Sequence, residues 1–572
     1  MRFFAFQGMR KTLPSRSWDV SRRAPLATTS LGNKKTVSGP TLSLWYPVLG
    51  GLIVTTLGGA KYVHDHVGGS EGLQRSLSFY ALAVPKYLEY RFHMWKDSPD
   101  DVWDDLDRET SEQGLQKILE LRGFYIKCGQ MCASNIGNAF PPIWQDTMSV
   151  LQDQVPPQSF DVIRSVIDQE LDFDATFASF DPEPIGAASI GQVHKATLRD
   201  GRPVVVKVRY PDVERLLTGD VRTIKMFAQV AQPVHVPALE EIEKQFQTEF
   251  DYRMEALQLN EVRENLIQAG LAGPGKMCQV PKPYMDLCTK CVLVMEELRG
   301  DKLAVELKRD LEHHAARAGQ SVKQYMEAVQ NKERECEAQG KEWVGPSSSE
   351  YDLYIAVVDG KRRIQNAWNR IYNTLMGWAP GVAKRNYEDR SELPLNHAKL
   401  VDDLFYVHGH EVLVNGVFNG DPHPGNILLC RSYDGTPQLG LIDYGQVKRL
   451  SKEKRVLFAK LIVALDDDNR DEIIRLMQEA GFRSQKMDPE VIYLYAKVGY
   501  DQDNASLTNN MHIQMFMEEL ESRDPIIQLP NDFIMISRAS LILRGLSHAL
   551  HQSRSVARCW RPLAERVIQE EA

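Results

Sequence analysis

Three polar residues in the last third of the chain have types and spacing that suit the binding of a magnesium nucleotide. Asp421 and Asn426 lie five positions apart in a segment broken by proline and glycine, which predicts a tight loop rather than a helix. The apolar runs 427–429 and 439–442 predict two short strands, and a hairpin between them would return Asp443 to the side of Asn426. Mg²⁺ favours one or two protein oxygens together with phosphates and water. We therefore predict that Asn426 and Asp443 are magnesium ligands and that Asp421 faces the acceptor.

A lysine within a valine-rich strand is the next candidate. Lys207 stands in the sequence V-V-V-K-V, and on a strand with one buried face its side chain must reach solvent or meet an opposite charge. A helix predicted over residues 238–264 carries two acidic candidates for that charge, Glu249 and Glu255. The spacing alone leaves the choice between these two glutamates open.

A loop of small residues precedes Lys207 and has the pattern G-x-A-x-x-G-x-V, whose second glycine lies 16 positions before the lysine. The pattern resembles the glycine-rich loop that covers the phosphates of ATP in protein kinases. The residues predicted here to contact the nucleotide are Gly186, Ala187, Ala188, Ser189, Gly191 and Val193.

The run V-L-V-M-E-E-L at 292–298 resembles the strand and hinge that join the two lobes of a protein kinase. In this resemblance Met295 lies behind the adenine, and the backbone near Glu296 and Leu298 contacts the edge of the base. These three residues complete the predicted nucleotide site.

The segments that hold Asp421 and Asp443 resemble the catalytic loop H-R-D-x-x-x-x-N and the D-F-G triplet of protein kinases in altered form. Asn419 and Gly420 stand in place of His-Arg, and Tyr444 stands in place of Phe. The resemblance implies phosphoryl transfer from ATP with Mg²⁺.

The first sixty residues have the composition of targeting and membrane segments. Residues 1–40 carry eight basic residues against one acidic residue, as expected of an organelle transit peptide, with a disordered basic tail as the alternative. Residues 42–60 contain no charge, and at about 1.5 Å per residue they would span roughly 28 Å, close to the hydrocarbon core of a bilayer. A buried globular helix is disfavoured there by four glycines and a proline.

We therefore predict one transmembrane helix over residues 42–60. The predicted location is the mitochondrial inner membrane, with a plastid membrane as the alternative. Gly51, Thr55 and Gly59 recur every four positions on one face of this helix. Small residues at this spacing permit close helix contact, so a homodimer through the transmembrane helix is a further prediction.

Six motifs, in order, resemble the UbiB family of atypical kinases, the AarF-domain kinase-like proteins. They are K-C-G-Q at 127–130, G-A-A-S-I-G-Q-V-H at 186–194, V-V-K-V at 205–208, E-F-D-Y-R-M-E-A at 249–256, N-G-D-P-H-P-G-N at 419–426 and I-D-Y-G at 442–445. The resemblance implies an α+β fold of the bilobed protein-kinase-like kind with an N-terminal helical extension. It also implies binding of ATP or ADP with Mg²⁺ and a role in organelle lipid metabolism, often in support of ubiquinone biosynthesis.

The same resemblance implies a regulatory role for the helix that bears Lys127 and Gln130. In the family this helix folds across the region where a protein kinase would receive a peptide. Glu249 would then be the partner of Lys127, which leaves Glu255 for Lys207.

Two features depart from the family pattern. Gly186 stands where ubiquinone-linked members usually have alanine, so membership of that branch stays open. From Glu296 to Asp421 the chain runs 125 positions, and about residues 302–390 are predicted to be either a tolerated surface insertion or a partner-binding element.

The predicted domains are a transit peptide (1–40), a transmembrane helix (42–60), a helical extension (71–176), a kinase-like N-lobe (177–300), the start of the C-lobe with the insertion (301–400) and the remaining C-lobe (401–572).

The net charge of −9 over 572 residues argues against a general nucleic-acid binder. We predict a membrane-anchored atypical kinase or ATPase that acts on a lipid or another small molecule. Lys207 would clamp the α- and β-phosphates, Glu255 would orient Lys207, and Asp421 would act as the base or orient water. The alternatives are a protein kinase, disfavoured because no recognisable activation segment follows Gly445, and a non-catalytic, nucleotide-gated scaffold for membrane enzymes.

Overall fold

The computed structural model describes residues 69–571 with the exception of 97, 134–141, 153–154, 232–249, 339–342, 377, 379–382, 391–392, 433–434, 505–506, 509–510 and 512. The predicted transit peptide, the predicted membrane span and Glu249 lie outside the described residues. Among the residues that are described, no helix combines the length and the apolar character needed to cross a bilayer.

Helices form most of the described chain. They are α1 (Gly69–Lys96), α2 (Asp100–Leu121), α3 (Phe124–Ala133), α4 (Pro142–Met148), α5 (Phe160–Glu170), α6 (Phe173–Thr176), α7 (Val213–Ala231), α8 (Tyr252–Gln268), α9 (Leu303–Arg317), α10 (Val322–Ala338), α11 (Ser348–Leu375), α12 (His397–His410), α13 (Lys452–Asp466), α14 (Arg470–Ala480), α15 (Pro489–Tyr500), α16 (Ile513–Arg523), α17 (Asn531–Ala549) and α18 (Val556–Glu571). A π-helical turn at Glu411–Asn415 follows α12 directly.

The strands are shorter and lie mainly in the middle of the chain. They are β1 (Phe177–Phe180), β2 (Gly186–Ala187), β3 (Gly191–Leu198), β4 (Pro203–Arg209), β5 (Cys278–Gln279), β6 (Val292–Glu296), β7 (Gly300–Lys302), β8 (Val417–Asn419), β9 (Ile427–Arg431), β10 (Pro437–Leu441), β11 (Val447–Arg449), β12 (Arg483–Ser484) and β13 (Ile526–Gln528). Helices and mainly antiparallel strands make up the described chain, with one parallel pair between β5 and β10, and this is the predicted α+β class.

The chain divides into two compact units. The first holds residues up to Val166 together with Pro184–Gln192 and Arg209–Gln247, and the second holds Ile167–Glu183, Val193–Val208 and the rest of the chain from Thr248. Each unit is therefore assembled from separate stretches of the sequence.

The first unit is held together by polar contacts between helices α1, α2 and α7. Near the start of α1, Arg75 binds the buried carboxylate of Asp220 on α7, with Nε 3.0 Å and Nη2 2.5 Å from its two oxygens. Near the end of α1, the Tyr90 hydroxyl donates to Asp107 of α2 at 2.5 Å. Pro85 lies inside α1 and does not end the helix. Contacts on both sides of the proline hold the helix in one piece despite the lost backbone hydrogen bond.

The second unit contains a sheet in which β1, β3, β4 and β6 lie in that order. β4 and β6 are antiparallel, with Lys207 opposite Leu293. The start of α8 lies next to the start of β6, because the backbone N–H of Tyr252 donates to the carbonyl of Lys290, two residues before β6. The sheet thus carries the lysine, and the adjoining helix carries the predicted acidic partner.

A second sheet of this unit has the order β5-β10-β9-β7. Its central pair, β9 and β10, is an antiparallel hairpin that ends with Leu441 opposite Ile427. The hairpin predicted from the two apolar runs is confirmed. The strands extend to Arg431 and begin at Pro437, a little beyond the predicted runs.

Two other local predictions need correction. Residues 238–249 of the helix predicted over 238–264 lie outside the described residues. In the described part, Asp251 has an extended backbone and accepts the Arg253 N–H, so that α8 begins only at Tyr252 and continues to Gln268. The charged run 310–343, for which the sequence favours one helix, forms two helices in its described part, α9 and α10. They are separated at Gly319, which has the left-handed φ of 67° that readily ends a helix.

Candidate functional site

Lys207 lies in the most buried part of the first sheet of the second unit. The neighbouring valines at 204, 206 and 208 are completely buried, whereas the Lys207 side chain keeps 18% of its surface exposed. Its Nζ donates to both carboxylate oxygens of Glu255, at 2.7 and 2.9 Å. The structure therefore places Glu255 against Lys207, as the sequence predicts.

The start of α8 fixes the position of Glu255. The Asp251 side chain caps the helix by accepting the Arg253 N–H at 3.1 Å, so that α8 begins at Tyr252. Tyr252 and Glu255 are three positions apart and therefore lie on one face of the helix. The Tyr252 ring centroid lies 5.1 Å from the Lys207 Nζ, within the range of a cation–π contact. The ammonium group is thus held by a carboxylate and an aromatic ring from the same helix.

A second carboxylate approaches the same lysine. The Asp443 Oδ2 lies 3.8 Å from the Lys207 Nζ. Burial of Lys207 acts to lower its pKa, but the negative charges of Asp443 and Glu255 outweigh burial and hold the pKa well above its usual value. Lys207 therefore stays protonated at neutral pH, as a group that binds phosphate requires.

Asn419, at the end of β8, positions the loop that the sequence predicts to be catalytic. Its Nδ2 donates to the Asp443 backbone carbonyl at 2.9 Å, and its Oδ1 accepts the Asp421 N–H at 2.9 Å. β8 pairs with β11, with Asn419 opposite Val447, so that the chain returns to the loop immediately after Gly445. One amide side chain thus joins the two segments that the sequence predicts to act together.

Asp421 forms an ion pair that has no counterpart in the sequence prediction. Its Oδ2 lies 3.0 Å from the Arg538 Nη2 on α17. Arg538 also lies close to Gln446, with Nη1 donating to Oε1 at 3.4 Å. One oxygen of the predicted catalytic carboxylate is therefore already in contact with a guanidinium group.

Asn426 and Asp443 meet at the end of the β9/β10 hairpin. The Ile442 N–H donates to the Asn426 carbonyl at 3.3 Å, which continues the strand ladder by one pair. The Asp443 Oδ1 accepts the Gly445 N–H at 2.9 Å, which fixes the carboxylate relative to the backbone. The two predicted ligands therefore project from neighbouring ends of one hairpin.

The two side chains fit a Mg²⁺ ion, because an amide and a carboxylate oxygen are hard donors of the kind that Mg²⁺ prefers. Across the described ranges, no group of three or more His, Cys, Asp or Glu side chains is arranged to hold a metal ion. Mg²⁺ does not need such a group, since it keeps several waters and takes phosphate oxygens. When bound, Mg²⁺ would neutralise charge on the phosphates.

A buried glutamate accepts hydrogen bonds from two residues that flank the predicted site. Glu411, in the π-helical turn, is completely buried, and its Oε1 accepts the Tyr444 hydroxyl at 2.9 Å. Its Oε2 accepts the Asn419 N–H at 3.3 Å and lies 3.2 Å from the His408 Nδ1. Burial, together with the charge of Glu411, raises the pKa of Tyr444 well above its usual value, so its hydroxyl keeps the proton that it donates.

Gly420 lies where a side chain would meet its surroundings. A Cβ atom there would be 2.6 Å from the Met535 Cε and 3.2 Å from the Gln446 carbonyl oxygen. Met535 belongs to α17, the helix that also carries Arg538. The space next to the catalytic loop is therefore filled by α17.

The predicted adenine contacts lie at the end of β6. Met295 is buried and pairs with Val205 of β4. The Glu296 N–H already donates to the Lys282 carbonyl at 2.9 Å, so Glu296 can contact a base through its carbonyl oxygen rather than its N–H. A Cβ on Gly440 of β10 would lie 3.4 Å from the Leu298 side chain, which places Leu298 against the second sheet.

The remaining predicted residues belong mainly to the first unit. The Ala188 N–H donates to the Gly191 carbonyl at 2.8 Å, which closes a tight turn between β2 and β3, with Ser189 buried in it. On α3, the Gln130 Nε2 donates to the Leu151 carbonyl at 3.0 Å, and Lys127 is half-buried three positions earlier. Gly186 and Ala187 form β2, and Val193 is a half-buried residue of β3 in the second unit.

Comparison with known proteins completes these observations. The sequence profile of the ABC1 atypical kinase-like domain matches residues 150–331 and 373–477. The chain belongs to the ABC1 family, the UbiB atypical kinases. The predicted family membership is thereby confirmed, and with it an α+β fold of the kinase-like kind.

Vertebrate members of the ABC1 family are similar to this chain over most of its length. AarF domain-containing protein kinase 1 of Xenopus laevis is 23% identical over 476 residues, which cover 79% of this chain and 74% of that protein. The Gallus gallus protein of the same name is 23% identical, over 87% of this chain and 82% of its own length. A solved structure, titled the complex structure of Rv3197-erythromycin from Mycobacterium tuberculosis, has 20% identity and a TM-score of 0.40 and covers 82% of this chain and 98% of that one.

The catalytic and metal-binding residues that were predicted from the sequence lie within the ranges of the ABC1 match. Lys207, Glu255, Asp421, Asn426 and Asp443 all lie in matched ranges and in short motifs. Arg538 and Met535 lie beyond the matched ranges, on a helix without a motif of its own. Glu411 lies in a matched range, but no local pattern signals its role, because its partners come from three separate segments.

The pair of Lys207 and Glu255 leads to the first prediction. Lys207→Met and Glu255→Gln should each weaken nucleotide binding by about 1.5–3 kcal/mol, the usual contribution of a hydrogen bond to a charged group. Because the two side chains act as one unit, the double variant should lose little more than either single variant. Isothermal titration with ATP and Mg²⁺ measures all three. Additive losses would show that the two residues act independently.

The raised pKa of Lys207 sets the pH range over which its contacts contribute fully to stability. A lysine whose folded pKa exceeds its unfolded pKa of about 10.4 contributes stability that is fully present below that value and is lost as the pH rises through the folded pKa. The stability difference between wild type and Lys207→Met should therefore be constant between about pH 6 and pH 9. A decline within this range, measured by urea unfolding, would contradict the assigned contacts.

Proposed function

We propose that this chain is a Mg²⁺-dependent ATPase or small-molecule kinase. The observation that carries the proposal is the position of Lys207, bound by Glu255 and 3.8 Å from Asp443. A lysine oriented by a helix carboxylate beside a metal-binding aspartate is the arrangement that kinases use to hold the phosphates of ATP. This arrangement and the membership of the ABC1 family both support the binding of Mg²⁺ and a nucleotide.

The side chains divide the work as follows. Lys207 contacts the α- and β-phosphates, and Glu255 keeps its ammonium group in place. Asn426 and Asp443 would hold the metal ion. Asp421 orients the attacking hydroxyl or water through the carboxylate oxygen that is not paired with Arg538, a role that positions a nucleophile without covalent chemistry.

Hydrolysis of ATP by the purified full-length chain tests this proposal. The rate is measured with and without Mg²⁺, with and without phospholipid vesicles, and in the presence of a peptide mixture. We expect Mg²⁺-dependent release of phosphate without labelling of peptides. Transfer of the γ-phosphate to peptides faster than to water would show that the protein is a protein kinase instead.

The ion pair between Asp421 and Arg538 favours a second candidate, a nucleotide-gated scaffold. A guanidinium group at 3.0 Å competes with an acceptor for the carboxylate, which would hold turnover low while nucleotide still binds. In that case the wild type binds ATP without hydrolysing it, and Arg538→Gln gains turnover. Under the ATPase proposal, the wild type already turns over.

We also propose that the protein is anchored in the mitochondrial inner membrane or, alternatively, in a plastid membrane. Its role there would be in organelle lipid metabolism, including ubiquinone biosynthesis. Residues 1–40 and 42–60 support the targeting and the anchor by their composition. The full-length protein should stay in the pellet after carbonate extraction, and a chain that begins at residue 70 should be released. Release of both would remove residues 42–60 as a span.

The alanine of the phosphate loop leads to another prediction. In kinase loops a glycine at the place of Ala188 lets backbone N–H groups approach the phosphates without a Cβ in the way. Ala188→Gly should therefore raise the ratio of ATP to ADP affinity by at most about a hundredfold, since one regained charge-assisted hydrogen bond is worth about 1.5–3 kcal/mol. Competition binding measures the ratio, with Ala187→Gly as the neighbouring control. An unchanged ratio would show that the loop does not discriminate between nucleotides.

A further inference from the structure

Within the described part of the chain, a row of asparagines joins one face of helix α11 to the rest of the second unit. Asn366, Asn369 and Asn373 donate through their side-chain amides to backbone carbonyls of the returning segment 385–388, at 2.9, 2.8 and 2.9 Å. The N–H groups of Glu388 and Arg385 donate back to Asn366 and Asn373. This regular ladder fixes the orientation of the helix about its own axis.

The opposite face of α11 carries a continuous apolar stripe. At about 100° per residue, the stripe is centred roughly 180° from the asparagine ladder. Its side chains keep between 49% and 69% of their surface exposed. The members of the stripe are Leu353, Val357, Ile364, Trp368, Ile371 and Leu375. They recur at spacings of three, four and seven, as in the seam of a coiled coil.

Gly360 fills the one gap in this stripe and lies close to the middle of the helix. A Cβ atom at this position would meet nothing within 4 Å. A small residue at the centre of an apolar helix face lets a second helix approach closely, as a crossing point requires. The stripe is therefore shaped for another helix that crosses near Gly360.

The charges of α11 are divided between its two halves. All of its acidic residues precede Gly360, and all of its basic residues follow it. The acids are Glu350, Asp352 and Asp359, and the bases are Lys361, Arg362, Arg363 and Arg370. A helix with this distribution is electrostatically complementary to an antiparallel copy of itself.

From the apolar stripe, the central glycine and the divided charges, we infer that α11 is a homodimerisation helix that pairs with α11 of a second copy in antiparallel orientation. A two-fold axis near residue 362 brings the stripe onto itself. The pairs that meet are Leu353 with Ile371, Val357 with Trp368, and Gly360 with Ile364. Asp352 and Arg370 lie on the same flank of the helix, so the same axis brings the acidic half of each copy alongside the basic half of the other. Lys361 lies at the other edge, where its exposed side chain remains in water.

The ABC1 comparison supports a role outside the kinase-like domain. The family match stops at residue 331 and resumes at 373, so it omits nearly all of α11. The helix spans about 42 Å at about 1.5 Å per residue, long enough for a coiled-coil contact. A negatively charged membrane surface is a poorer occupant, because it would repel the acidic half of the same helix.

Chemical cross-linking tests the proposed geometry in the full-length, detergent-solubilised chain. Gly360→Cys lies next to the axis, so two copies should be joined by a short bismaleimide. Leu375→Cys lies on the same stripe but would be about 40 Å from its counterpart in an antiparallel pair, so it should not cross-link. Wild type gives the background of the native cysteines. Cross-linking of both variants would indicate a parallel pair, and cross-linking of neither would overturn the inference.

Sedimentation of the same preparation tests the energetics. Ile364→Asp, at an exposed position, should weaken dimerisation by about a hundredfold or more, as expected for a residue at the centre of an interface. Arg370→Asp should weaken it less, and the added change Asp352→Arg should restore it. Thermal melting checks that each variant is folded.

Three results would overturn the inference. A wild-type chain that stays monomeric at micromolar concentration has no such interface. A dimer that survives Ile364→Asp is formed elsewhere, for example through residues 42–60. A monomer whose binding to anionic phospholipid vesicles is lost in Ile364→Asp uses the stripe on a membrane.

Discussion

Asp443→Asn is expected to abolish the stabilisation of the protein by Mg²⁺ and nucleotide while leaving the ligand-free protein folded. The substitution replaces the one predicted metal ligand that carries a charge. The amide oxygen that it introduces can still accept the Gly445 N–H, which Asp443 Oδ1 accepts at 2.9 Å. The backbone turn should therefore persist in the variant, whereas the attraction for a divalent cation is lost.

The size of the effect follows from linkage. A ligand at about 100 times its dissociation constant stabilises the native state by about 2.7 kcal/mol. Thermal melting with a titration of ATP and Mg²⁺ should show this shift for wild type and none for Asp443→Asn. Asp421→Asn is the matched control, because it changes the same functional group in the same site but is placed as the nucleophile-orienting residue.

We expect Asp421→Asn to keep the Mg²⁺-dependent shift in melting temperature and to lose turnover. A wild-type shift in Asp443→Asn would show that Asp443 is not a ligand. Loss of the shift in both variants would mean that the two aspartates share the metal, contrary to the assigned roles.

Glu411→Ala is expected to destabilise the second unit by about 3–5 kcal/mol, the range for removing one member of a buried charged network. The carboxylate is completely buried and accepts from the Tyr444 hydroxyl and the Asn419 N–H. Alanine leaves both donors without their acceptor in a site without water access and opens a cavity as well. Urea unfolding of the full chain measures the loss.

Two milder variants separate the causes. Glu411→Gln keeps the volume and one acceptor oxygen, and Tyr444→Phe removes one donor without a cavity, so each should cost about 1–3 kcal/mol. Nucleotide binding should weaken in parallel with stability, because Asn419 joins the loop of Asp421 to the backbone of Asp443. Full stability in Glu411→Ala would show that the network contributes little.

The parts of the site that the sequence predicts are those set by short-range geometry. The valine run around Lys207 predicts a buried strand, and the apolar runs around residue 430 predict the hairpin that brings Asn426 to Asp443. Each of these follows from the alternation or clustering of a few neighbouring residues. The choice of Glu255 as the partner of Lys207 comes from the family resemblance and not from spacing.

The parts that the sequence does not predict depend on contacts between distant segments. Arg538 reaches Asp421 across 117 positions, and an arginine in an amphipathic helix gives no sign of its partner. Propensity also fails where tertiary contacts are strong, as at Pro85, or where a side chain caps the backbone, as at Asp251. The targeting and membrane segments and Glu249 lie outside the described residues and stay predictions.

The glycine at position 420 has a consequence for how such a protein can be switched on and off. Protein kinases carry arginine at this place in the catalytic loop, and many are activated when arginine side chains bind a phosphorylated activation segment. Here the corresponding space holds Met535, and an arginine at residue 420 would have to displace it. Strand β11 also begins two residues after Gly445, so the chain has little length in which a phosphorylated loop could form. Packing at this point therefore leaves no room for the arginine through which a phosphorylated segment would act.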